Sequence, residues 1–295
     1  SDVYKRQEVM YSILEHYLST NHILMIGMIV TFILTFFLLE HPFSFLPSDQ
    51  GRAFAVNGSL SKGKLRGVGF IFVLCFLISS VLFVPIDVEY VIYAILLFAM
   101  MISGYLDDAS KTPWNEYKKG LIDLVISVVA VLTYMNFNST TICFGADEIV
   151  IPKALFLILG VILIWVSVNV TNCTDGVDGL CASLCSVTLL AFGVLFAPVL
   201  QKYAMANFLF LSVLFAYLYF NSSPSSMLMG DAGSRALGFY IAVIALKSTH
   251  PFIYILLAAV MIVDGGIGLV KIALKRFLKT VSYTHLRAHE TGRNL

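Results

Sequence analysis

The sequence predicts an all-α membrane protein, a polytopic bundle of transmembrane helices. The chain of 295 residues is 59% hydrophobic and has only 13% charged residues, about half the charged share of a typical soluble domain. Its mean hydropathy is +0.87. The apolar residues gather in long runs, and each run approaches the roughly 20 residues that a helix needs to cross a bilayer.

Nine apolar runs lie along the chain, and we expect each to be a helix, because only helices and closed barrels satisfy backbone hydrogen bonds in lipid. No run shows the strict alternation of a barrel strand. The absence of a visible internal repeat argues against a transporter built from inverted repeats. The runs cover about residues 23–39, 67–84, 90–106, 120–137, 154–171, 180–199, 204–220, 234–250 and 252–271.

The two ends differ in character from the rest of the chain. The segments SDVYKRQ and VSYTHLRAHETGRNL are polar, lack periodicity and join abruptly to apolar sequence. We therefore expect residues 1–7 and 280–295 to be non-native ends. Residues 8–279 are then expected to form a single transmembrane domain.

Lysine and arginine are divided unevenly between the loops. The loops after the first, third and seventh runs and the segment after the ninth carry most of them, whereas the turns on the other side include the acidic stretches PIDVE and ADE. The positive-inside rule places the odd-numbered loops in the cytoplasm and the N-terminus outside. The net charge of +1 argues against a nucleic-acid partner.

The stretch NVTNCTDGVDGL, residues 169–180, is the strongest candidate for a functional site. It crowds two asparagines and two aspartates at the end of an apolar run, with glycines between them. A carboxylate near hydrocarbon is costly unless something binds it. A solvated loop is the alternative, but it explains less well why these amide and carboxylate groups cluster.

Three further odd-numbered loops carry unusual polar sequence. The stretch LSKGKLRGVG, residues 60–69, is either a basic flank of a span or a phosphate cradle. In YLDDASK, residues 105–111, adjacent carboxylates repel each other. Lys111 is a candidate structural cation for them, but a metal-phosphate site or a base is the better interpretation. In MGDAGSRALG, residues 229–238, Asp231 is either a helix N-cap or a magnesium ligand.

Together these loops predict a site for a Mg²⁺-bound diphosphate at the cytoplasmic membrane surface. Displacement at phosphorus needs mainly positioning and charge neutralisation. A nucleophile that arrives from the lipid would explain why the site lies at the ends of spans.

The motifs DDASK, NVTNCTDGVDGL and GDAGSRALG resemble, in this order, those of the polyprenyl-phosphate N-acetylhexosamine-1-phosphate transferases. The resemblance covers about residues 20–279 and is strongest to the phospho-N-acetylmuramoyl-pentapeptide transferases. It implies a transferase domain of ten spans, of which nine are present, and Mg²⁺ as cofactor.

The activity implied by the resemblance is transfer of phospho-MurNAc-pentapeptide from UDP-MurNAc-pentapeptide to undecaprenyl phosphate, which gives lipid I and UMP in peptidoglycan synthesis. The implied location is a bacterial inner membrane, and the resemblance allows a homodimer. The implied catalytic residues are Asp107, Asp108 and Asp231. Asp107 would deprotonate or position the lipid phosphate, and Asp231 would bind the metal.

The resemblance also implies a set of substrate-binding residues. Asn172 and Asp175 match the nucleoside-sugar side, and a lysine flanks the pocket for uracil. Two further lysines are candidate phosphate partners. The full set of implied substrate contacts is Lys62, Lys111, Lys119, Asn172, Asp175, Gly176, Val177 and Asp178.

Two departures from the family pattern stand out. The family's Thr-Pro-Thr is replaced by Lys64-Leu65-Arg66, and the aromatic residue expected to stack on uracil is Leu228. The histidine-bearing loop that would follow the ninth span is missing, so we expect this chain to fold but to lack activity.

Two aspartates within the apolar runs carry separate expectations. Asp264, in VDGGIG, is expected to mark a helix break that lines the lipid groove, since an intramembrane carboxylate is a functional suspect. Asp123, near the start of the fourth run, is expected simply to reach the membrane interface.

Two other functions compete with the main interpretation. One is a GlcNAc-1-phosphate transferase that initiates teichoic-acid or O-antigen lipids, because the loop that reads the sugar is absent. The other is a cation transporter. Transport would require carboxylates at mid-span from several helices, whereas only Asp264 lies deep in a run.

Overall fold

The computed structural model describes residues 11, 13–41, 43–49, 62–110, 112, 114–145 and 147–278, with the backbone alone for 271–278. Within these residues seven of the nine apolar runs each coincide with one helix, and the runs 180–199 and 252–271 are each divided between two helices. The elements in chain order are α1 (Thr20–Glu40), α2 (Gly69–Phe83), α3 (Val88–Asp108), α4 (Glu116–Phe137), β1 (Thr141–Phe144), β2 (Asp147–Val150), α5 (Lys153–Thr174), α6 (Leu180–Leu195), α7 (Ala197–Leu200), α8 (Lys202–Asn221), α9 (Gly230–Lys247), α10 (Ile253–Leu257) and α11 (Ala259–Leu278).

The predicted fold class is confirmed. Among the described helices, α1, α3, α4, α5 and α8 are each long and apolar enough to cross a membrane. Shorter apolar helices are α2, α6 and the first part of α11. The chain is therefore a helical polytopic membrane protein.

A small hairpin between α4 and α5 is the one element that the sequence did not predict. β1 and β2 pair antiparallel, with Thr141 opposite Val150 and Phe144 opposite Asp147. Each strand has only four residues, which is too short for a recognisable alternation. The acidic stretch ADE, which was expected to be a turn, therefore contributes Asp147 and Glu148 to this hairpin.

Helix α9 lies at the centre of the bundle. All of its residues from Gly230 to Leu246 are buried, and it packs against α2, α3, α5 and α6. Small residues along GDAGSRALG allow such close approach, since in lipid the association of helices depends on packing and not on the hydrophobic effect. The helix that carries Asp231 is thus the one that its neighbours enclose most fully.

The connections alternate between the two ends of the bundle. At one end, which we call the closed end, polar residues from separate loops join: Lys247 Nζ lies 3.0 Å from Glu89 Oε2 and 2.7 Å from Asn138 Oδ1. Lys202 also contacts Asp87 there. The odd-numbered loops meet at the opposite end, which we call the site end.

The expected helix break at Asp264 is wrong. Helix α11 is continuous through this residue, and the break lies earlier, at Ala258, between α10 and α11. Asp264 is exposed. The neighbouring Gly265 instead allows close packing, because a Cβ at this position would lie 2.2 Å from the carbonyl oxygen of Val170 on α5.

Candidate functional site

The predicted motifs of all four odd-numbered loops converge at the site end. Arg66 Nε, from the first loop, lies 2.9 Å from Asp108 Oδ1 at the end of α3. Asn172 Nδ2, at the end of α5, donates to Ser234 Oγ on α9 at 2.9 Å. Residues far apart in sequence therefore form one polar cluster.

Asp108 caps the N-terminus of α9 from another helix. Its side chain is 0% exposed, and its Oδ2 accepts a hydrogen bond from Ala232 N–H at 3.1 Å. A helix N-terminus favours a negative charge. Gly230, with φ +67°, is required at this contact, because a Cβ there would lie 2.3 Å from Asp108 Oδ2. Asp108 thus fixes where α9 begins.

Asp107 faces a different partner, although it is the next residue. It forms an ion pair with Lys119 in the first turn of α4, and its Oδ1 accepts a hydrogen bond from Trp114 N–H at 2.7 Å. The two adjacent carboxylates are therefore each matched with a separate cation. This arrangement offsets the repulsion that the sequence predicts.

Asp231 lies in the first turn of α9, between two cations. Arg66 Nη2 is 3.5 Å from its Oδ1, and Lys119 Nζ is 3.2 Å from its Oδ2. Gly104 on α3 allows this placement, since a Cβ there would lie 2.3 Å from the carbonyl oxygen of Asp231. The side chain is 12% exposed, so it is nearly enclosed but still reachable.

A second polar cluster holds the loop between α5 and α6. Asp178 Oδ2 accepts a hydrogen bond from Ser225 N–H at 3.0 Å, and Lys64 Nζ lies 3.6 Å away. Burial alone would raise the pKa of Asp178, but the Ser225 N–H and the Lys64 ammonium stabilise the carboxylate and hold its pKa below its usual range. This cluster joins the first, fifth and seventh loops.

A groove of about 560 Å³ leads to Asp231. Its lining combines apolar side chains with charged and polar ones. The apolar side chains include Leu121, Leu124, Trp165, Val168 and Leu269, and the charged and polar ones include Lys119, Asp123, Asn172, Asp231 and Arg235. A molecule with a long hydrocarbon tail and a charged head matches this combination.

Comparison with known proteins is consistent with this geometry. The Glycosyl transferase family 4 pattern matches residues 90–249. A phospho-N-acetylmuramoyl-pentapeptide-transferase of Treponema pallidum (strain Nichols) is 36% identical, across 85% of this chain and 76% of the relative. The chain belongs to the phospho-N-acetylmuramoyl-pentapeptide transferase family.

Other members of this transferase family are more distant in sequence. The Halalkalibacterium halodurans protein is 28% identical, across 82% of this chain and 80% of the relative. The Clostridium novyi (strain NT) protein is 26% identical, across 84% of this chain and 81% of the relative. The region 90–249 includes all three acidic motifs, so the matched sequence and the polar cluster coincide.

The substrate contacts that the family resemblance implies are only partly brought together. Lys62 is exposed in a turn, Asp175 is half-buried, and Gly176 and Val177 are exposed in the loop after α5. Lys111 lies outside the described residues. The roles assigned to these residues and to the three catalytic aspartates stay predictions.

Two site residues were missed from the sequence, and one assignment was wrong. Arg66, which was expected only as part of a basic flank or phosphate cradle and as a departure from the family pattern, contacts both Asp108 and Asp231. Arg235 served only to assign topology, yet it forms a buried ion pair with Asp123. The side chain of Asp123 therefore does not reach solvent at the membrane interface, since it is 4% exposed. Opposite charges within apolar runs are the signal that could have identified the pair of Asp123 and Arg235.

Proposed function

We propose that this transferase moves phospho-MurNAc-pentapeptide from UDP-MurNAc-pentapeptide to undecaprenyl phosphate and releases UMP and lipid I. The observation that supports this most directly is the groove, whose lining combines apolar side chains with Lys119 and Asp231. A polyprenyl phosphate has the same combination of hydrocarbon and charge. The proposed acceptor would place its phosphate at the end where the acidic motifs meet.

The proposed reaction is attack by an oxygen of the acceptor phosphate on the phosphorus next to the sugar. A P–O bond forms there, and the bond to the UMP oxygen breaks, so that UMP carries the leaving electron pair. Lys119 would bind and orient the acceptor phosphate, because its ammonium already lies among carboxylates at the groove wall. Asp107 would position Lys119, or accept a proton from the acceptor phosphate.

Mg²⁺ is the proposed cofactor, and the site offers it a single carboxylate ligand. Within the described residues no group of three or more His, Cys, Asp or Glu side chains could hold a metal ion. Mg²⁺ commonly takes only one or two carboxylates and completes its shell with phosphate and water oxygens. Asp231 would supply that carboxylate, and the ion would neutralise charge on the diphosphate.

The donor is proposed to bind beside the loop after α5. The ordered contacts of Asp178 with Ser225 and Lys64 would support a pocket for the nucleoside formed by residues 176–178. Lys62, which is exposed and lies two residues before Lys64, would contact the nucleotide. Leu228 is 5% exposed and cannot stack as an aromatic ring does, so the base would be held by hydrogen bonds and apolar contact.

Orientation in the membrane is part of the proposal. The site end would face the cytoplasm of the bacterial inner membrane, because the odd-numbered loops carry most of the lysine and arginine. The N-terminus would then lie outside. A cation transporter is disfavoured, since the described carboxylates of the site lie at one end of the bundle and Asp264 lies outside the groove lining.

A donor competition tests the proposed reaction against GlcNAc-1-phosphate transfer. The full-length protein in detergent is given undecaprenyl phosphate, Mg²⁺, and equal concentrations of UDP-MurNAc-pentapeptide and UDP-GlcNAc. Release of UMP together with a lipid that carries MurNAc-pentapeptide supports the proposal. A lipid product that carries only GlcNAc would assign the chain to the other reaction.

A further inference from the structure

A buried ion pair borders the groove and has no part in the reaction as described above. Asp123, one helical turn after Lys119 on α4, contacts Arg235 on α9. Both side chains are almost inaccessible, with exposed fractions of 4% and 3%. A buried ion pair of this kind is often no better for stability than apolar residues of similar size. Stability alone therefore gives a weak reason for two charges at this place.

The guanidinium of Arg235 is only half satisfied. Its Nη2 pairs with Asp123, but the buried Nη1 has no hydrogen-bond partner among the residues that the structure describes. Leaving a buried charged donor without an acceptor is costly. Arg235 also lies in the groove wall next to Lys119 and Asp231, so an anion that enters the groove would supply the missing acceptor.

We propose that Arg235 is a second ligand of the acceptor's phosphate monoester, together with Lys119, and that Asp123 orients the guanidinium for this contact. The proposal rests on the proposed function, and it assigns the phosphate of the lipid, not the diphosphate of the nucleotide, to Arg235. Arginine suits this role because its planar fork of N–H donors matches phosphate oxygens.

The position of Lys119 explains how the phosphate would reach Arg235. Lys119 and Asp123 are four residues apart on α4 and share one face of the helix. The Lys119 side chain is 24% exposed, whereas Arg235 is closed off. The phosphate would meet Lys119 first, and movement of this ammonium onto the phosphate would open the groove wall towards Arg235.

The decisive variant replaces both members of the pair. Asp123→Ala combined with Arg235→Leu removes the charges together and leaves no unpaired buried ion, so the fold is retained. We expect the KM for undecaprenyl phosphate to rise by about 10- to 100-fold, the effect of losing a hydrogen bond to a charged group. The KM for the nucleotide donor should change less than threefold. An unchanged acceptor KM, or an equal rise in both KM values, would overturn the proposal.

Arg235→Lys provides a second test should the double variant fold poorly. It keeps a cation beside Asp123 but removes the second set of N–H donors, so it should also raise the acceptor KM selectively.

A direct measurement uses farnesyl phosphate and farnesol as probes of binding by isothermal titration calorimetry. Only farnesyl phosphate should lose affinity in Arg235→Lys. Equal affinity of this variant and the wild type for farnesyl phosphate would contradict the role of Arg235.

The two proposals fail in different ways. If the wild-type protein does not transfer MurNAc-pentapeptide phosphate, the proposed function fails, whatever the variants do. If the wild type transfers it and the variants keep the wild-type acceptor KM, only the role of Arg235 is lost.

Discussion

At the scale of single residues, the site is a set of carboxylates balanced by cations from other loops. Asp107, Asp108 and Asp231 would repel one another if they were alone. Arg66 and Lys119 each contact two of the three. The two cations are partly exposed, whereas Asp108 is fully buried, so the cations are the partners that an entering anion can reach.

Removing Arg66 should therefore harm both folding and activity. In Arg66→Gln, Asp108 keeps its hydrogen bond from Ala232 N–H but loses its counter-charge. Since Arg66 is 31% exposed, we expect the free energy of unfolding to fall by about 1–3 kcal/mol, less than for a fully buried pair. The change appears as a lower Tm in thermal unfolding in detergent. Lys62→Gln, at an exposed position, serves as the control and should leave Tm unchanged. A Tm for Arg66→Gln equal to that control would show that the contact contributes nothing.

Replacing Asp231 should abolish transfer without loss of the fold. Asp231→Asn keeps the size of the side chain but removes the charge that Lys119, Arg66 and the proposed Mg²⁺ share. In a full-length background we expect UMP release to fall by at least about a thousandfold, in line with the loss of a metal's charge stabilisation in the transition state. The matched control is Asp264→Asn, which is exposed and outside the groove lining, and it should retain wild-type rates. Near-normal UMP release from Asp231→Asn would exclude it as a metal ligand.

At the scale of elements, the position of α9 depends on glycines in its neighbours. Gly104 on α3 lies against the carbonyl oxygen of Asp231, and no larger residue fits there without moving one helix. The first turn of α9, which carries the functional carboxylate, is therefore placed by packing as much as by charge.

A methyl group at Gly104 should displace that turn. Gly104→Ala would place a Cβ 2.3 Å from the Asp231 carbonyl oxygen, and overpacking of this kind costs about 1–3 kcal/mol. We expect a lower Tm and a reduced rate of UMP release. The control Gly266→Ala meets nothing within 4 Å and should be neutral or slightly stabilising, as alanine favours a helix. Equal Tm values for the two variants would refute the packing argument.

The helices and the acidic motifs of the site were predictable from the sequence, but the ion-pair partners of the site were not. The helices follow from the nine apolar runs, because lipid leaves the backbone few alternatives. The acidic motifs at helix ends were predictable because unpaired charge is costly there. The partners of Arg66 and Arg235 were not, because Arg235 and Asp123 lie 112 residues apart and only tertiary packing brings them together.

At the scale of the whole molecule, the two ends of the bundle have different tasks. The closed end is held by Lys247, Glu89 and Asn138, and Lys247 also lies 4.9 Å from the centre of the Tyr203 ring. These contacts bind several connections into one unit. The site end keeps its partly exposed cations and its groove. The closed end is thus held together by ion pairs and hydrogen bonds, while the site end remains accessible to substrates.

The proposed orientation can be tested with single cysteines in a background where the five native cysteines are replaced by serine. Thr112, at the site end, and Glu148, in the hairpin, are both exposed. In intact cells an impermeant maleimide should label Glu148→Cys but not Thr112→Cys, because only the hairpin would lie outside. Both should react after the cells are opened. The reverse pattern would invert the topology and place the site outside the cell.

The burial of α9 has a consequence for how the protein is made. Of the charged residues in this helix, Asp231 and Lys247 lie in the first and last turns, and only Arg235 lies further in. A charged residue at the centre of a span costs about 2.5–3.5 kcal/mol on entering the bilayer, so Arg235 is the residue that opposes the release of α9 into lipid by itself. Asp123, which pairs with Arg235, lies on α4 and is synthesised earlier. We therefore expect α9 to enter the membrane most readily when α4 is already in place to supply this partner.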